Sequence, residues 1–468
     1  MTIRFDRLVE LLGTSRESDV SLVAIDDVEH DSRRVGQGTL FACIRGEHAD
    51  GHDYAAQAVR SGAAALLVER RLDVRVPQLV VADVRASLGA VASAVHENPS
   101  SSLRIVGITG TNGKTTTVSI VASLLRTLGQ STLEIGTLTG ERTTPEAPEL
   151  QRQFRGAVSD KIDVVVMEVS SHALEQDRVA GTRFAVSAFT NLGVDHLDHH
   201  GDLESYYRAK AMLFSRELSD FAVIDATSPA GVRLESEVSI PHVAITGDLI
   251  DDVELLPHGS RFRWRGNAVA SPLAGAFNVS NAVVGAEVVA ALGHRADAIA
   301  GAFETIESVP GRFEMIDVGQ PFGVVVDYAH TPDGLEAVLE AARTITRRFL
   351  IVVFGAGGDR DVSKRPQMGE VARRLADRVV VTSDNPRSES PQAIVDMVVD
   401  GMSSSPELVE LDRQLAIRHA IAGARDGDVV VIAGKGHEVT QTIGNDVLEF
   451  DDRVVARQEL RRLGGNAS

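Results

Sequence analysis

Residues 107–117 read Gly-Ile-Thr-Gly-Thr-Asn-Gly-Lys-Thr-Thr-Thr, at the end of the apolar run Leu103 to Ile108. A strand that opens into a glycine-rich turn ending in Gly-Lys-Thr is a phosphate cradle. The glycines let backbone N–H groups face the anion, Lys114 brings a point charge to the β/γ-phosphates, and the Thr115 hydroxyl suits Mg²⁺. The amphipathic stretch Val118 to Leu128, stopped by Gly129, predicts the helix whose N-terminus attracts the phosphates. A strict phosphate loop carries glycine five residues before Gly113, where this chain has Ile108. The loop is therefore the narrower form Gly110-Thr111-Asn112-Gly113-Lys114-Thr115, followed by Thr116. It predicts a nucleotide that is bound and used.

At 468 residues the chain is too long for one hydrophobic core, so several domains are expected. Short apolar runs alternate with helical patterns along the whole length, which predicts α/β domains with largely parallel sheets. Strands are expected at Thr39 to Ile44, Ala64 to Val68, Leu79 to Ala82, Asp163 to Met167, Ala185 to Phe189, Phe221 to Ile224, Gly323 to Val326, Phe349 to Phe354, Val379 to Val381 and Val429 to Ile432. The polar stretch Glu97 to Ser102 and the Pro-Gly turn in Ser308 to Glu314 are the candidate boundaries. They divide the chain into 1–99, a central mostly parallel phosphate-loop domain 100–310, and 311–468.

The net charge of −19, from 47 basic and 66 acidic residues, excludes a general nucleic-acid or membrane-surface binder. Anionic ligands must then be met by local cations and helix N-termini. A single cysteine, Cys43, excludes a disulfide framework and a cysteine zinc site and suits a reducing compartment. The first residues lack the apolar core of a signal peptide, and no run approaches a membrane span. A cytoplasmic protein without membrane insertion is expected.

Several polar strings leave strand ends, where α/β sheets gather ligands. Glu168 follows the strand Asp163 to Met167 and is placed to hold Mg²⁺. Asp195 to His200 packs three histidines and two aspartates into six residues, a metal-capable run in which a hard cation is favoured over zinc. Lys210, on a helical stretch, reads by itself as a solvated lysine. Asn278 and Asn281 suit an adenine edge or a helix cap. Three strings follow the C-terminal strands: Gly355 to Asp361 with Lys364 and Arg365, Ser383 to Arg387, and Gly434 to Glu438. Arg365 and Arg387 have the geometry of bidentate carboxylate readers, and Glu438 suits an ammonium. Together they predict a pocket for a zwitterion carrying more than one carboxylate.

Over essentially its whole length the chain resembles the Mur ligases, ATP-dependent amide-forming enzymes of peptidoglycan precursor synthesis. The resemblance is carried by Gly110 to Thr116, Glu168-Val-Ser-Ser-His172, Asn191 through His196, Lys210, Asn278, Arg312 and Asp327-Tyr-Ala-His-Thr-Pro332. It implies one domain for a uridine nucleotide, one for ATP, and a mobile Rossmann-like one for the incoming amino acid. His30, Asp31, Ser32, Arg33, Glu47, His48 and Ala49 fall where relatives contact the uridine nucleotide. Thr143, Thr144, Ser170, Gln176 and Arg178 fall where they hold the muramoyl-dipeptide. Asn278, Arg312 and Asp327 would contact ATP, and Glu168 and His196 would ligate Mg²⁺. Lys210 matches a lysine that relatives carry as a carbamate bridging two Mg²⁺ ions.

The string Asp384-Asn385-Pro386-Arg387 resembles the signature of members that add meso-diaminopimelate to UDP-N-acetylmuramoyl-L-alanyl-D-glutamate; lysine-adding members usually lack the arginine. A sibling ligase adding lysine or another amino acid, a folylpolyglutamate-synthetase-like ligase and a non-catalytic ATP-binding paralogue are the competing expectations. A monomer is expected.

Overall fold

The computed structural model describes residues 2–14, 23–46 and 49–465. Glu47 and His48 lie outside the described residues. The strands sort into three main sheets, each built where the sequence concentrates β-branched apolar residues.

In the first, Asp27–Glu29, Thr39–Ala42, Ala65–Val68 and Gln78–Val80 run parallel in chain order. Leu40, Ala42 and Leu67 face the helix Val84–Val95, whereas Phe41, Cys43 and Leu66 face the helix Ala55–Ser61. This is the period-two alternation of a strand covered on both sides. The Asp83 carboxylate caps the helix Val84–Val95 by accepting from the Ala86 N–H at 3.1 Å. Burial pushes the Cys43 thiol up to about 12, so it packs as a small apolar group.

The second sheet has six parallel strands in the spatial order His242–Ile245, Ala222–Asp225, Val186–Phe189, Arg104–Thr109, Val164–Glu168, Thr132–Ile135. Its first strand in sequence lies between two later ones, so the chain changes direction across the sheet at Thr109. Ligands bind at such a switch point, beyond the carboxyl ends of the strands. The helix Lys114–Thr127 packs with the helix Ala276–Ala291 on one face through Val118, Val121, Leu125, Val283 and Ala286. Phe154 and Leu150 of the helix Ala147–Ser159 cover the other.

A three-stranded antiparallel sheet, Ile250–Leu256, Gly259–Trp264 and Asn267–Ser271, is appended to this unit and departs from the expected parallel pattern. Phe262 and Trp264 point inward while Arg261 and Arg263 point to solvent. Arg265 and Gly266 both take positive φ (48° and 77°), the turn that matches hairpin twist.

The third sheet has the order Glu314–Met315, Gly323–Asp327, Val429–Ala433, Leu350–Phe354, Arg378–Val381, Leu408–Val409, all parallel except the first pair. The last strand in sequence inserts between two early ones. The segments after Asp327, Ala433, Phe354 and Val381 therefore share one edge. Among the described residues no helix is long and apolar enough to cross a membrane.

The first two units are fastened by charge. Arg152, on the central helix Ala147–Ser159, donates to both Asp27 oxygens at 3.0 Å and to the Val28 carbonyl at 3.1 Å. Burial alone would push the Asp27 carboxyl up. The His96 ring, with Nε2 3.3 Å away, and the Arg152 hydrogen bonds outweigh it and hold the group at about 2, below its usual 3.8. A depressed carboxyl contributes stability above its unfolded pKa and loses it as pH falls through the folded one. The Asp27→Asn variant is therefore expected to be less stable than wild type at pH 7. The gap between their urea midpoints should narrow as pH falls from about 4 to about 2. A gap independent of pH across that window contradicts the assignment.

Candidate active site

The phosphate loop is stapled from outside. Thr111 N–H donates to the Asn191 carbonyl at 2.9 Å, Asn112 N–H to Asn191 Oδ1 at 2.9 Å, and Thr190 Oγ1 to the Asn112 carbonyl at 2.6 Å. Gly110 has φ +156°, and a Cβ there would fall 1.9 Å from Thr190 Oγ1, so only glycine fits. Lys114 Nζ folds back onto the Gly110 and Thr111 carbonyls at 2.7 and 2.9 Å. Thr111 to Thr116 line a cavity of about 730 Å³ that spans the central and C-terminal units.

On the cavity wall, Thr115 Oγ1 lies 3.1 Å from both oxygens of the buried Glu168, the last residue of its strand. Thr137 N–H also donates to Glu168, at 2.8 Å. Arg312 Nη2 reaches Thr115 Oγ1 at 3.1 Å, with its guanidinium 4.3 Å from the Tyr328 ring. Asp327 accepts from Phe313 and Ala329 N–H groups at 2.6 and 2.7 Å and fixes the turn that carries Arg312.

Asp195 is surrounded by nitrogen-bearing side chains from both units. His196 Nε2 lies 3.4 Å away, His330 Nε2 3.8 Å and Lys364 Nζ 3.9 Å. Burial would push the Asp195 carboxyl up, but His330, His196 and Lys364 outweigh it and hold it below 3.8. Burial pushes His196 down to about 4, leaving a neutral imidazole on the cavity wall.

Lys210 is not the solvated lysine that its helix position suggests. It is 1 % exposed, and its Nζ donates to the Gly110 carbonyl at 2.8 Å beneath the phosphate loop. Burial, with Lys114 nearby, pushes it well below its usual 10.5.

The three C-terminal strings do converge on one edge, but their side chains divide. Arg387 lines the cavity; Nη1 donates to the Gly358 carbonyl at 2.7 Å. Its φ is +52°, a strained value for a residue with a side chain, held by backbone bonds to Thr442 and Gly444 of the hairpin Thr440–Glu449. Asp384, Asn385, Gly434 and Glu438 line the same space. Glu438 Oε2 already accepts from Asn385 Nδ2 at 2.7 Å and from the Lys435 ammonium at 3.1 Å. Pro386 is buried behind this edge.

Arg365 departs from expectation. It is fully buried, grips Glu389 in a bidentate pair at 2.7 and 2.8 Å and does not line the cavity, so its guanidinium fork is taken up within the protein. Its neighbour Lys364 lines the cavity instead. Asn278 also turns away: its Nδ2 donates to the Ala274 carbonyl at 2.8 Å, and its Oδ1 accepts from Asn281 Nδ2. Phe277, Ser280 and Asn281 are the residues of that helix on the cavity wall. Their spacing of three and four marks one helix face, a signal present in the sequence.

Thr143 and Ser170 line the main cavity, while Thr144 is buried beneath it with its hydroxyl donating to the Glu168 carbonyl at 3.0 Å. Gln176 and Arg178 bond to each other, and Arg178 pairs with Glu146 at 3.1 Å. His30 lines a second cleft of about 170 Å³ between the loop 30–34 and the central segment 135–153. Asp31 and Arg33 line it too but are paired with each other. Ser32 is half-buried and Ala49 exposed, both outside that cleft.

A phosphate loop, a strand-end carboxylate and an aspartate met by Lys364 of a Rossmann-like unit define a nucleotide-dependent ligase site. Three family profiles match the chain: the Mur ligase family catalytic domain over residues 24–101, the Mur ligase middle domain over 108–289, and the Mur ligase glutamate ligase domain over 311–436. The chain is 44 % identical over 470 residues to the UDP-N-acetylmuramoyl-L-alanyl-D-glutamate–2,6-diaminopimelate ligase of Geobacillus kaustophilus, covering 93 % of this chain and 95 % of that one. A solved structure of a ligase of the same name is 32 % identical, with TM-score 0.70, and covers 99 % of this chain and 100 % of that one. The MurF ligase of Thermotoga maritima, solved in complex with ADP, shares the fold with TM-score 0.65 at 20 % identity, covering 93 % of this chain and 96 % of that one. The chain belongs to the Mur ligase family.

The amino-acid edge depends on one buried ion pair. Arg413 is held bidentately by Asp452 at 2.7 and 2.8 Å and donates to the Ser383 and Ala433 carbonyls at 3.2 and 2.9 Å. It ties together the two strand ends that present Asp384 and Gly434. Removing one partner leaves a buried charge uncompensated. The Asp452→Ala variant is expected to lose about 3–5 kcal/mol, measured by chemical denaturation. A loss below about 1 kcal/mol contradicts a buried, coupled pair.

Proposed function

We propose that the chain adds meso-diaminopimelate to UDP-N-acetylmuramoyl-L-alanyl-D-glutamate, with ATP converted to ADP and phosphate. One observation carries the reading. The phosphate loop with Thr115 and Glu168, and the edge with Asp384 and Arg387, line a single cavity. The named relatives support it across nearly the whole length. The strip Thr143 and Ser170 and the cleft at His30 are read as the path of the muramoyl-dipeptide and its uridine nucleotide. All of these groups belong to one chain, and we take a cytoplasmic monomer as the working unit.

Mg²⁺ fits the donors present. The Thr115 hydroxyl and the Glu168 carboxylate are hard oxygen ligands on the cavity wall, and His196 adds a neutral imidazole. When bound, the ion neutralises charge on the transferring phosphoryl group. Lys210 as a free amine is in the form that combines with CO₂, and a carbamate there would replace an ammonium by an oxygen ligand.

A carboxylate is a poor electrophile at neutral pH. Lys114, released from the Gly110 and Thr111 carbonyls, meets the phosphates, and the loop N–H groups hold them. The substrate carboxylate oxygen attacks the γ-phosphorus, ADP leaves, and an acyl phosphate forms. The amine of the incoming amino acid then attacks the acyl carbon, loses a proton, and phosphate departs. The C-terminal unit, closing over the site, keeps water from the acyl phosphate.

Two measurements test this reading. With ¹⁸O in the acceptor carboxylate, one label should appear in the released phosphate, with ADP as co-product. Release of AMP and pyrophosphate would sink the acyl-phosphate route. The second concerns the amino acid. Diaminopimelate differs from lysine by a distal carboxylate, which Arg387 can grip through paired charge-assisted bonds worth about 1.5–3 kcal/mol each. Arg387→Ala is expected to lower kcat/KM for diaminopimelate by about 10- to 100-fold or more, while lysine stays poorly used. Arg387→Lys should not restore the rate, because an ammonium lacks the planar fork. A wild-type preference for lysine overturns the substrate assignment and leaves the ligase reading standing.

A further inference from the structure

The histidine-rich run Asp195 to His200 does not act as one cluster. His196 turns toward Asp195 and the nucleotide cavity, with Nε2 at 3.4 Å from the carboxylate and its ring edge-on to His172, centroids 4.8 Å apart. His199 and His200, on the short helix Leu197–His200, turn toward the helix Ser171–Glu175. That helix offers His172 and Glu175, three residues apart and so on one face. Ligand atoms of His172, His199 and His200 all lie within 4.8 Å of one another. The Glu175 carboxylate reaches two of the three, with Oε2 3.0 Å from His199 Nε2 and Oε1 3.2 Å from His200 Nδ1.

We propose that His172, His199 and His200, with Glu175, bind one transition-metal cation of the Zn²⁺ class, at a site that adjoins the nucleotide cavity through His172 but differs in its donors from the Mg²⁺ site.

Three observations carry it. The His200 side chain is fully buried and anchored: its Nε2 lies 2.9 Å from Ser171 Oγ, and its ring lies 4.8 Å from that of Tyr206. Its Nδ1 is buried without a hydrogen-bond partner among the described residues, because the Glu175 oxygen near it lies outside bonding geometry. Such a group calls for an explanation, and a metal ion supplies one. His199 is the adjustable member, 28 % exposed at its side chain and stacked on His172 with centroids 4.1 Å apart. Tetrahedral Zn²⁺ with Zn–N near 2.0–2.1 Å needs nitrogens about 3.4 Å apart, so the group must draw together on binding, and the exposed His199 is the member free to move.

The donor chemistry selects the ion. Three imidazoles and one carboxylate suit Zn²⁺, Co²⁺ or Ni²⁺, whereas Mg²⁺ prefers oxygen. Four protein ligands would leave no open position, so the ion ties two short helices together rather than activating water. His196 precedes the second of these helices, so the same ion would restrain the segment that carries it.

The test uses metal-free full-length protein with Mg²⁺ in large excess, titrated with Co²⁺ and then Zn²⁺. The expected result is the visible absorption of one tetrahedral Co²⁺ per chain, displaced by one Zn²⁺. His199→Asn and Glu175→Gln, with thermal midpoints unchanged in the absence of metal, should weaken Zn²⁺ binding by at least about tenfold. Absence of a tetrahedral Co²⁺ signal overturns the proposal. So does Zn²⁺ that binds His199→Asn as tightly as wild type, or that excess Mg²⁺ removes, because that ion occupies the nucleotide site.

Discussion

Two lysine side-chain nitrogens converge on one backbone carbonyl. Lys114 and Lys210, from different helices, donate to Gly110 O at 2.7 and 2.8 Å. In a buried space two like charges at such a distance disfavour each other strongly. Burial lowers both, and Lys210 falls further because Lys114 adds to the desolvation. The arrangement therefore assigns different jobs to two chemically identical side chains. Lys114 can swing out to phosphate, where its charge is restored by a partner. Lys210 stays beneath the loop as an amine. The carbonyl can serve both only because Gly110 has no side chain, since the space a Cβ would take is held by Thr190 Oγ1. The staples from Thr190 and Asn191 follow from the same packing, and they fix where Thr115 meets Glu168.

The second constraint lies between the central and C-terminal units. Their contact around the site is polar apart from Ala274 and Phe277, which pack on the C-terminal core: Asp195 draws His330 and Lys364 from the C-terminal side, and Asp333 Oδ2 accepts from the Val194 N–H at 3.0 Å. Polar interfaces within a chain favour relative motion, because little apolar area is exposed when they part. A reaction that must admit three substrates and then exclude water benefits from such a joint. Gly193 shows how closely the surfaces meet there, since a Cβ would fall 2.3 Å from the Asp333 carboxylate.

The parallel strands were legible because burial on both faces leaves nearly continuous apolar runs, as in Val164–Glu168 and Val429–Ala433. The convergence of the three C-terminal strings was legible too, since each follows such a run. The antiparallel sheet Ile250–Ser271 was not. Its first strand is mostly exposed and breaks its apolar residues with Asp251, Asp252 and Glu254, and the Arg265-Gly266 turn is a weak signal. Side-chain direction was the harder problem. Arg365 and Lys364 are adjacent on one helix and so point about 100° apart, which reverses which of them reaches the cavity. Lys210 looked solvated because its helix carries Glu204 and Arg208 on the exposed face. Only the tertiary fold shows that the face bearing Tyr206 and Lys210 turns inward. The run Asp195 to His200 looked like one metal site because sequence gives proximity without direction.

Arg312 joins these parts. It stands just after the turn into the C-terminal unit, yet its guanidinium reaches the phosphate-loop hydroxyl of Thr115 at 3.1 Å. It stacks on Tyr328, whose ring lies 4.8 Å from that of His437 in the loop after Val429–Ala433. The residues before it permit this reach, since Gly311 has φ +64° and any Cβ there would collide with the His437 backbone. A net charge of −19 works against anionic substrates at long range. Binding must therefore be won within a few ångströms, by cations fixed on a low-dielectric wall. Arg312, Lys114 and Lys364 are such groups, and two of the three come from the C-terminal unit. The nucleotide cavity thus has its full set of cations only when that unit is in place, which makes its position a condition for phosphoryl transfer and not only a cover over it.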